Sequence, residues 1–156
     1  MEFRELLAAF AAKYGIEGLD GADDVAELNV DGIRVELLND SQNRSIFACV
    51  EIGLPQHDDN GAFASLMLQA NFLLRATEGA TLCQNPETHA YAIVRPFPLT
   101  LTDAETFSAG LESLLSQAEN WHKMLLSLHV AETEHSKIPQ PSDSHHEMIS
   151  NGFFKV

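Results

Sequence analysis

A few side chains stand at spacings that chemistry uses. Glu119-x-x-His122 and Glu132-x-x-His135 have the interval by which a helix offers a carboxylate and an imidazole to a bridged di-metal centre. Such a centre takes its pairs from facing helices and adds further glutamates. Here the second pair merely follows the first along the chain, so no metal site is expected. His145-His146 sits in a polar stretch, where adjacent histidines bind metals only by accident. Cys83 with His89 would suit a thiolate activated by an imidazole, but they flank one hairpin turn and lack a third group to orient the base. The sequence holds no phosphate-binding glycine loop, no nucleophile elbow and no HExxH. The expectation is no catalytic residue, no metal and no cofactor: the protein works by binding.

Composition narrows what is bound. Lys and Arg number 9 against 23 Asp and Glu in 156 residues, a net charge of -14 with a pI near 4.6. That charge repels phosphate backbones and argues against nucleic acid; it favours basic or amphipathic partners. Cys49 and Cys83 lie in apolar strand-like runs, and are expected to be free thiols in a reducing cytosol. No run approaches the ~20 apolar residues of a membrane span, and MEFRELLAAF is acidic and helical in pattern, unlike a signal peptide. A cytoplasmic protein without a membrane partner is expected.

The elements follow from periodicity. Phe3, Leu6, Leu7, Phe10 and Tyr14 form one helical stripe over 2–14, capped by Gly15 with Ile16 behind it. The rear of that helix is bare, with Ala8 and Ala12. Asp31-Gly32 predicts a two-residue hairpin, which pairs Val30 with Ile33, Leu28 with Val35 and Ala26 with Leu37 on the core side. A third strand over 45–53 turns Ile46, Ala48, Val50 and Ile52 inward. Phe47 and Cys49, with Val25 and Leu38, then make an apolar patch on the opposite face. Such a patch is either covered by another element or awaits a partner.

A second helix runs from a cap at Asp59 or Asn60 to Gly79, with Phe63, Leu66, Met67, Ala70 and Leu74 on its core stripe. Leu68 and Phe72 lie on the other side, beside Ser65 and Arg75. A helix apolar on two faces is covered on both. Either it is central to one larger core or its second face meets a second copy; the short chain favours the copy. A hairpin over 80–95 turns at Asn85-Pro86-Glu87-Thr88, and Pro96 and Pro98 stop its second strand. Thr102 to Glu105 form a capping box, opening a helix with Phe107, Leu111, Leu114, Leu115, Ala118, His122 and Leu125 inward. One domain over 1–128 and a flexible tail over 129–156 are expected.

The order helix, three strands, helix, two strands, helix, with LMLQANFLL, GATLCQNPETHAYAIVRPFPL and LLSQAENWHKML in place, resembles the class I chaperones of bacterial type III secretion, the Tir-chaperone family. The resemblance covers roughly 3–126. It implies a compact α+β fold, α-β-β-β-α-β-β-α, with a twisted, mainly antiparallel sheet and three helices. It implies a homodimer in which the second helix takes part, giving Leu68, Phe72, Ser65 and Arg75 to the interface. It also implies an effector partner in the cytoplasm of a Gram-negative bacterium. The N-terminal segment of that effector is held partly unfolded and passed to a secretion ATPase or sorting platform. Apolar patches on the first helix and the sheet take up the effector, which suits Ala8, Ala12, Val25, Leu38, Phe47 and Cys49. The alternative on the same fold is a regulator of secretion-gene expression that exchanges protein partners; a small-molecule or enzyme domain is more remote.

Overall fold

A computed structural model describes residues 2–19, 21–55 and 61–135, with 129–135 as backbone only. Helix α1 (Phe3–Tyr14) is followed by strands β1 (Val25–Val30), β2 (Ile33–Asp40) and β3 (Ser45–Gly53). Helix α2 (Ala62–Ala70), strands β4 (Thr81–Gln84) and β5 (Tyr91–Pro98) and helix α3 (Ala104–His135) complete the order. Asp31 and Gly32 both take positive φ, 52° and 87°, as a type I′ turn requires. That turn sets the expected register of β1 on β2. Among the described residues the sheet has five strands in the order β1-β2-β3-β5-β4, every neighbouring pair antiparallel.

The helices cover one face of the sheet. α3 lies along β3 and β5, α1 packs on α3, and α2 meets β4. Ile46, Ala48, Val50 and Ile52 are buried beneath them. Two aromatic groups lock the layers: Phe63 packs on Tyr91 and Trp121, and Phe107 packs edge-on against Phe10 and Phe97. Gly110 lets α3 approach the sheet closely, because a Cβ there would stand 2.4 Å from Cε1 of Phe97.

Several details differ from the sequence reading. α2 ends at Ala70 rather than Gly79. The Asn71 carboxamide accepts the Leu82 N–H and donates to the Leu82 carbonyl, both at 2.9 Å, giving β4 the bonds that another strand would supply. Satisfying those two edge groups competes with continuing the helix, and Leu73 and Leu74 then take φ of 58° and 52°. Leu74 therefore leaves the core stripe and is exposed. Gly79 has the expected positive φ, 89°, but its N–H reaches Leu74 O and closes this irregular turn instead of a helix. Asp59 and Asn60 lie outside the described residues; Gly61 occupies the N-cap.

β5 passes through Pro96 and Pro98 and pairs them with Phe47 and Ser45. β4 reaches only as far as Val94 along β5, so the prolines can turn their missing N–H to an open side. The capping box sits one residue later than expected. Asp103 Oδ1 accepts the Thr106 N–H at 2.8 Å, and Thr106 Oγ1 accepts the Asp103 N–H at 2.9 Å. On α3, Trp121 is buried where His122 was expected; exposed His122 donates from Nδ1 to the Ile52 carbonyl at 2.6 Å. Tyr14 is half exposed, its hydroxyl 2.6 Å from Ser108 Oγ.

α3 continues to His135, beyond Leu128 where the sequence changes character, and the rest of the expected tail lies outside the described residues. Among the described residues, every buried apolar side chain of the core falls between Phe3 and Leu125. Ending the chain after Leu128 is therefore expected to lower Tm by less than about 5 °C, the scale of ~1 kcal/mol in a domain of this size. A larger drop in a thermal melt would show that the segment beyond Leu128 is docked.

Candidate protein-binding surfaces

Strand register builds the first surface. Val25 pairs with Leu38, Leu38 with Phe47 and Phe47 with Pro96, one row across four strands. The neighbouring row runs Glu27, Glu36, Cys49, Val94, Thr81. Alternation turns both rows away from the helices. Val25 and Leu38 are 42% and 38% exposed, Pro96 is exposed, and Phe47 and Cys49 are half-buried. The sheet thus brings together the four residues read from the sequence and adds Pro96 and Val94. The sequence reading missed Pro96 because it took the proline as a strand stop, although its spacing from Val94 was legible.

The thiols on this face are packing groups. Burial, then the charges of Cys83, Glu36 and Glu51, push the Cys49 thiol up to about 11, and burial raises Cys83. A thiol that stays protonated is a poor nucleophile. β5 separates the two strands that carry them, roughly 10 Å at two strand spacings, beyond the ~7 Å Cα limit of a disulfide.

The second surface is the outer side of α2 and the turn that follows it. Leu68 and Phe72 are 73% and 75% exposed, with Ser65 and Arg75 exposed beside them in sequence. Leu73 joins the exposed apolar residues; the sequence reading missed it by assuming an unbroken helix. Leu66, Ala70, Trp121 and Met124 help line a cavity of about 440 Å³ between this helix and α3.

Ala8 and Ala12 are exposed on α1, which belongs to the helical layer. They do not join the Val25–Phe47 row, so the residues read as one set of partner contacts divide between two layers.

The sheet edges differ. Thr77 Oγ1 donates to the Ala80 carbonyl at 2.6 Å, the Ala80 N–H reaches Thr77 O, and Asn71 holds both groups of Leu82. The β4 edge is thereby closed by its own chain. Among the described residues β1 pairs with β2 alone and offers its other side to an added strand.

Among the described residues no three His, Cys, Asp or Glu side chains come together to hold a metal ion. Of the two Glu-x-x-His pairs, His122 is committed through Nδ1 to Ile52 O, and the side chains of Glu132 and His135 are not described. No described helix is long and apolar enough to cross a membrane.

Solved structures share this architecture. The chaperone–effector complex of HopA1 and SchA aligns at TM-score 0.64 and 18% identity, over 78% of this chain and 93% of that one. The ExsC–ExsE complex aligns at 0.65 and 20%, over 80% and 97%. The Yersinia pestis type III secretion chaperone SycH, in complex with a stable fragment of YscM2, aligns at 0.61 and 15%, over 76% and 98%. No curated protein matches the sequence. Residues 5–122 match the Tir chaperone protein (CesT) family, and with that span covering most of the chain, the protein belongs to this family.

Proposed function

We propose that the protein is a type III secretion chaperone. It binds the N-terminal segment of a secreted effector and keeps that segment soluble, partly unfolded and fit for export. The observation that carries this reading is the apolar row Val25–Leu38–Phe47–Pro96, which no described residue covers, on the outer sheet face of a family whose solved relatives include chaperone–effector complexes. An unfolded segment loses entropy on binding, and apolar contacts along an extended surface offset that cost. The open β1 edge supplies backbone bonds to the same segment. The work needs no catalytic group, so we assign no enzymatic activity. We place the protein in the bacterial cytoplasm as a homodimer through the outer side of α2, handing its cargo to a secretion ATPase or sorting platform.

Phe47 is the largest side chain of the row and its expected anchor. Phe47→Asp is expected to weaken effector capture about thirtyfold, the equivalent of ~2 kcal/mol at a central apolar contact, while far-UV circular dichroism stays unchanged. Pull-down with mass spectrometry from the source bacterium reads the loss. A dominant large secreted protein supports the chaperone; a small acidic partner in its place would make the protein a regulator. A variant that unfolds would place Phe47 in the core, and undiminished capture would move the partner to the Ala8/Ala12 side.

A further inference from the structure

The ladder between β2 and β3 stops early. It runs from Asp40–Ser45 to Glu36–Cys49, although β2 begins at Ile33 and β3 continues to Gly53. The β1–β2 hairpin stays paired to its tip, so the whole tip diverges from β3 and leaves a wedge in the sheet. A cavity of about 650 Å³ opens there, between the diverging strands, the β4–β5 turn and the Ala118–His122 side of α3. On the wedge side neither Ile33–Val35 nor Val50–Gly53 has a ladder partner among the described residues. His122 takes up one carbonyl in this region, that of Ile52.

The walls combine charge with apolar surface. Asp31, Glu36, Glu51, Glu87 and Glu119 line the cavity, with Arg34 as the only Lys or Arg among its lining residues. Arg34 lies 2.8 Å from Glu27, and Glu119 lies 3.6 Å from Lys123; the remaining carboxylates have no cation among the ion pairs of the described residues. Glu51 is held in place, because its Oε1 accepts Thr88 Oγ1 at 2.6 Å and Asn85 Nδ2 at 3.2 Å. Ile33, Val50 and Ile52 supply apolar wall between them. A concave site lined by one sign of charge concentrates the opposite sign. Open strand edges recognise extended backbone, and alternate side chains of such a segment enter pockets.

We propose that this wedge receives an extended segment of the exported partner in which basic and apolar side chains alternate. The backbone runs along the free edge of β2 or β3, and lysine or arginine side chains meet Glu36 and Glu51. The inference rests on the chaperone reading for the source of the segment, but its chemistry is testable apart from it.

The probe is a short alternating lysine–valine peptide, with a glutamate–valine peptide of equal length as control, added to the full isotope-labelled chain. The lysine–valine peptide is expected to shift the amides of Ile33–Glu36 and Cys49–Ile52, and the control to leave them unmoved. Glu36→Gln with Glu51→Gln keeps the side-chain shape and an acceptor for Thr88, and is expected to weaken binding about tenfold, as loss of charge-assisted contacts implies. Binding by the unaltered protein is expected to weaken as salt rises, which decides the matter should the double variant fail to fold. Equal binding of both peptides, shifts confined to Val25, Leu38 and Phe47, salt-independent affinity or an undiminished double variant would each overturn the wedge. Failure of the chaperone reading looks different: the unaltered protein captures no secreted protein from cells, whatever the peptide does.

Discussion

Leu68→Asp combined with Phe72→Glu is expected to break the proposed homodimer, leaving monomer or aggregate. The two side chains are about three-quarters exposed in the single chain, Leu68 on α2 and Phe72 in the turn just beyond its end at Ala70. Fully burying a leucine or phenylalanine contributes about 1.5–3 kcal/mol. In a two-fold dimer the same patch appears on both subunits, so each residue acts twice. Replacing both by carboxylates removes that gain and leaves unpaired charges at the contact, a cost of several kcal/mol. The chain already carries a net charge of -14, which adds repulsion between copies. Neither side chain belongs to the core, so the isolated fold is expected to survive. Light scattering coupled to size exclusion reads the result; an unchanged dimer would place the interface on another face.

Much of the fold was legible because its rules are local. Asp31-Gly32 dictated a turn, the turn dictated the register of β1 on β2, and alternation put Val25, Leu38 and Phe47 on one face before any tertiary contact was known. What was not legible depended on contacts distant in sequence. Asn71 looks like any residue in a helical pattern until Leu82 arrives at its carboxamide. Pro96 stops a strand only where both of its sides are paired, and no local signal reveals that β4 ends opposite Val94. Trp121 and His122 exchange their expected places because a long helix can rotate slightly about its axis, and the buried ring of Phe63 selects the indole. The wedge between β2 and β3 was equally invisible: alternation continues through Ile33–Val35 and Val50–Ile52 whether or not the strands remain paired. Periodicity assigns faces, but it does not show where a ladder opens.

Gly110 tests the packing that holds α3, and with it Glu119 and His122, against the sheet. Helix propensity alone favours Gly110→Ala by about 1 kcal/mol. A steric clash outweighs that gain. The added Cβ would lie 2.4 Å from Cε1 and 2.9 Å from Cζ of Phe97, distances at which either the ring or the helix must move. The ring has little room, since Phe97 is buried and packs edge-on against Phe107 with centroids 4.9 Å apart. Overpacking of this kind costs about 1–3 kcal/mol, so Gly110→Ala is expected to lower stability by a net ~1 kcal/mol despite the gain in propensity. Gly110→Val has almost no propensity gain and more bulk, and is expected to cost ~3 kcal/mol or more. Urea denaturation with an unchanged m-value would show that native stability, and not the denatured state, had changed. Pairing Gly110→Ala with Phe97→Leu removes the ring edge and is expected to recover part of the loss, since residues in contact do not add independently. If Gly110→Ala instead stabilised the protein, Phe97 would be free to swing aside. The close approach of α3 to β5 would then not be what fixes the helix over the sheet.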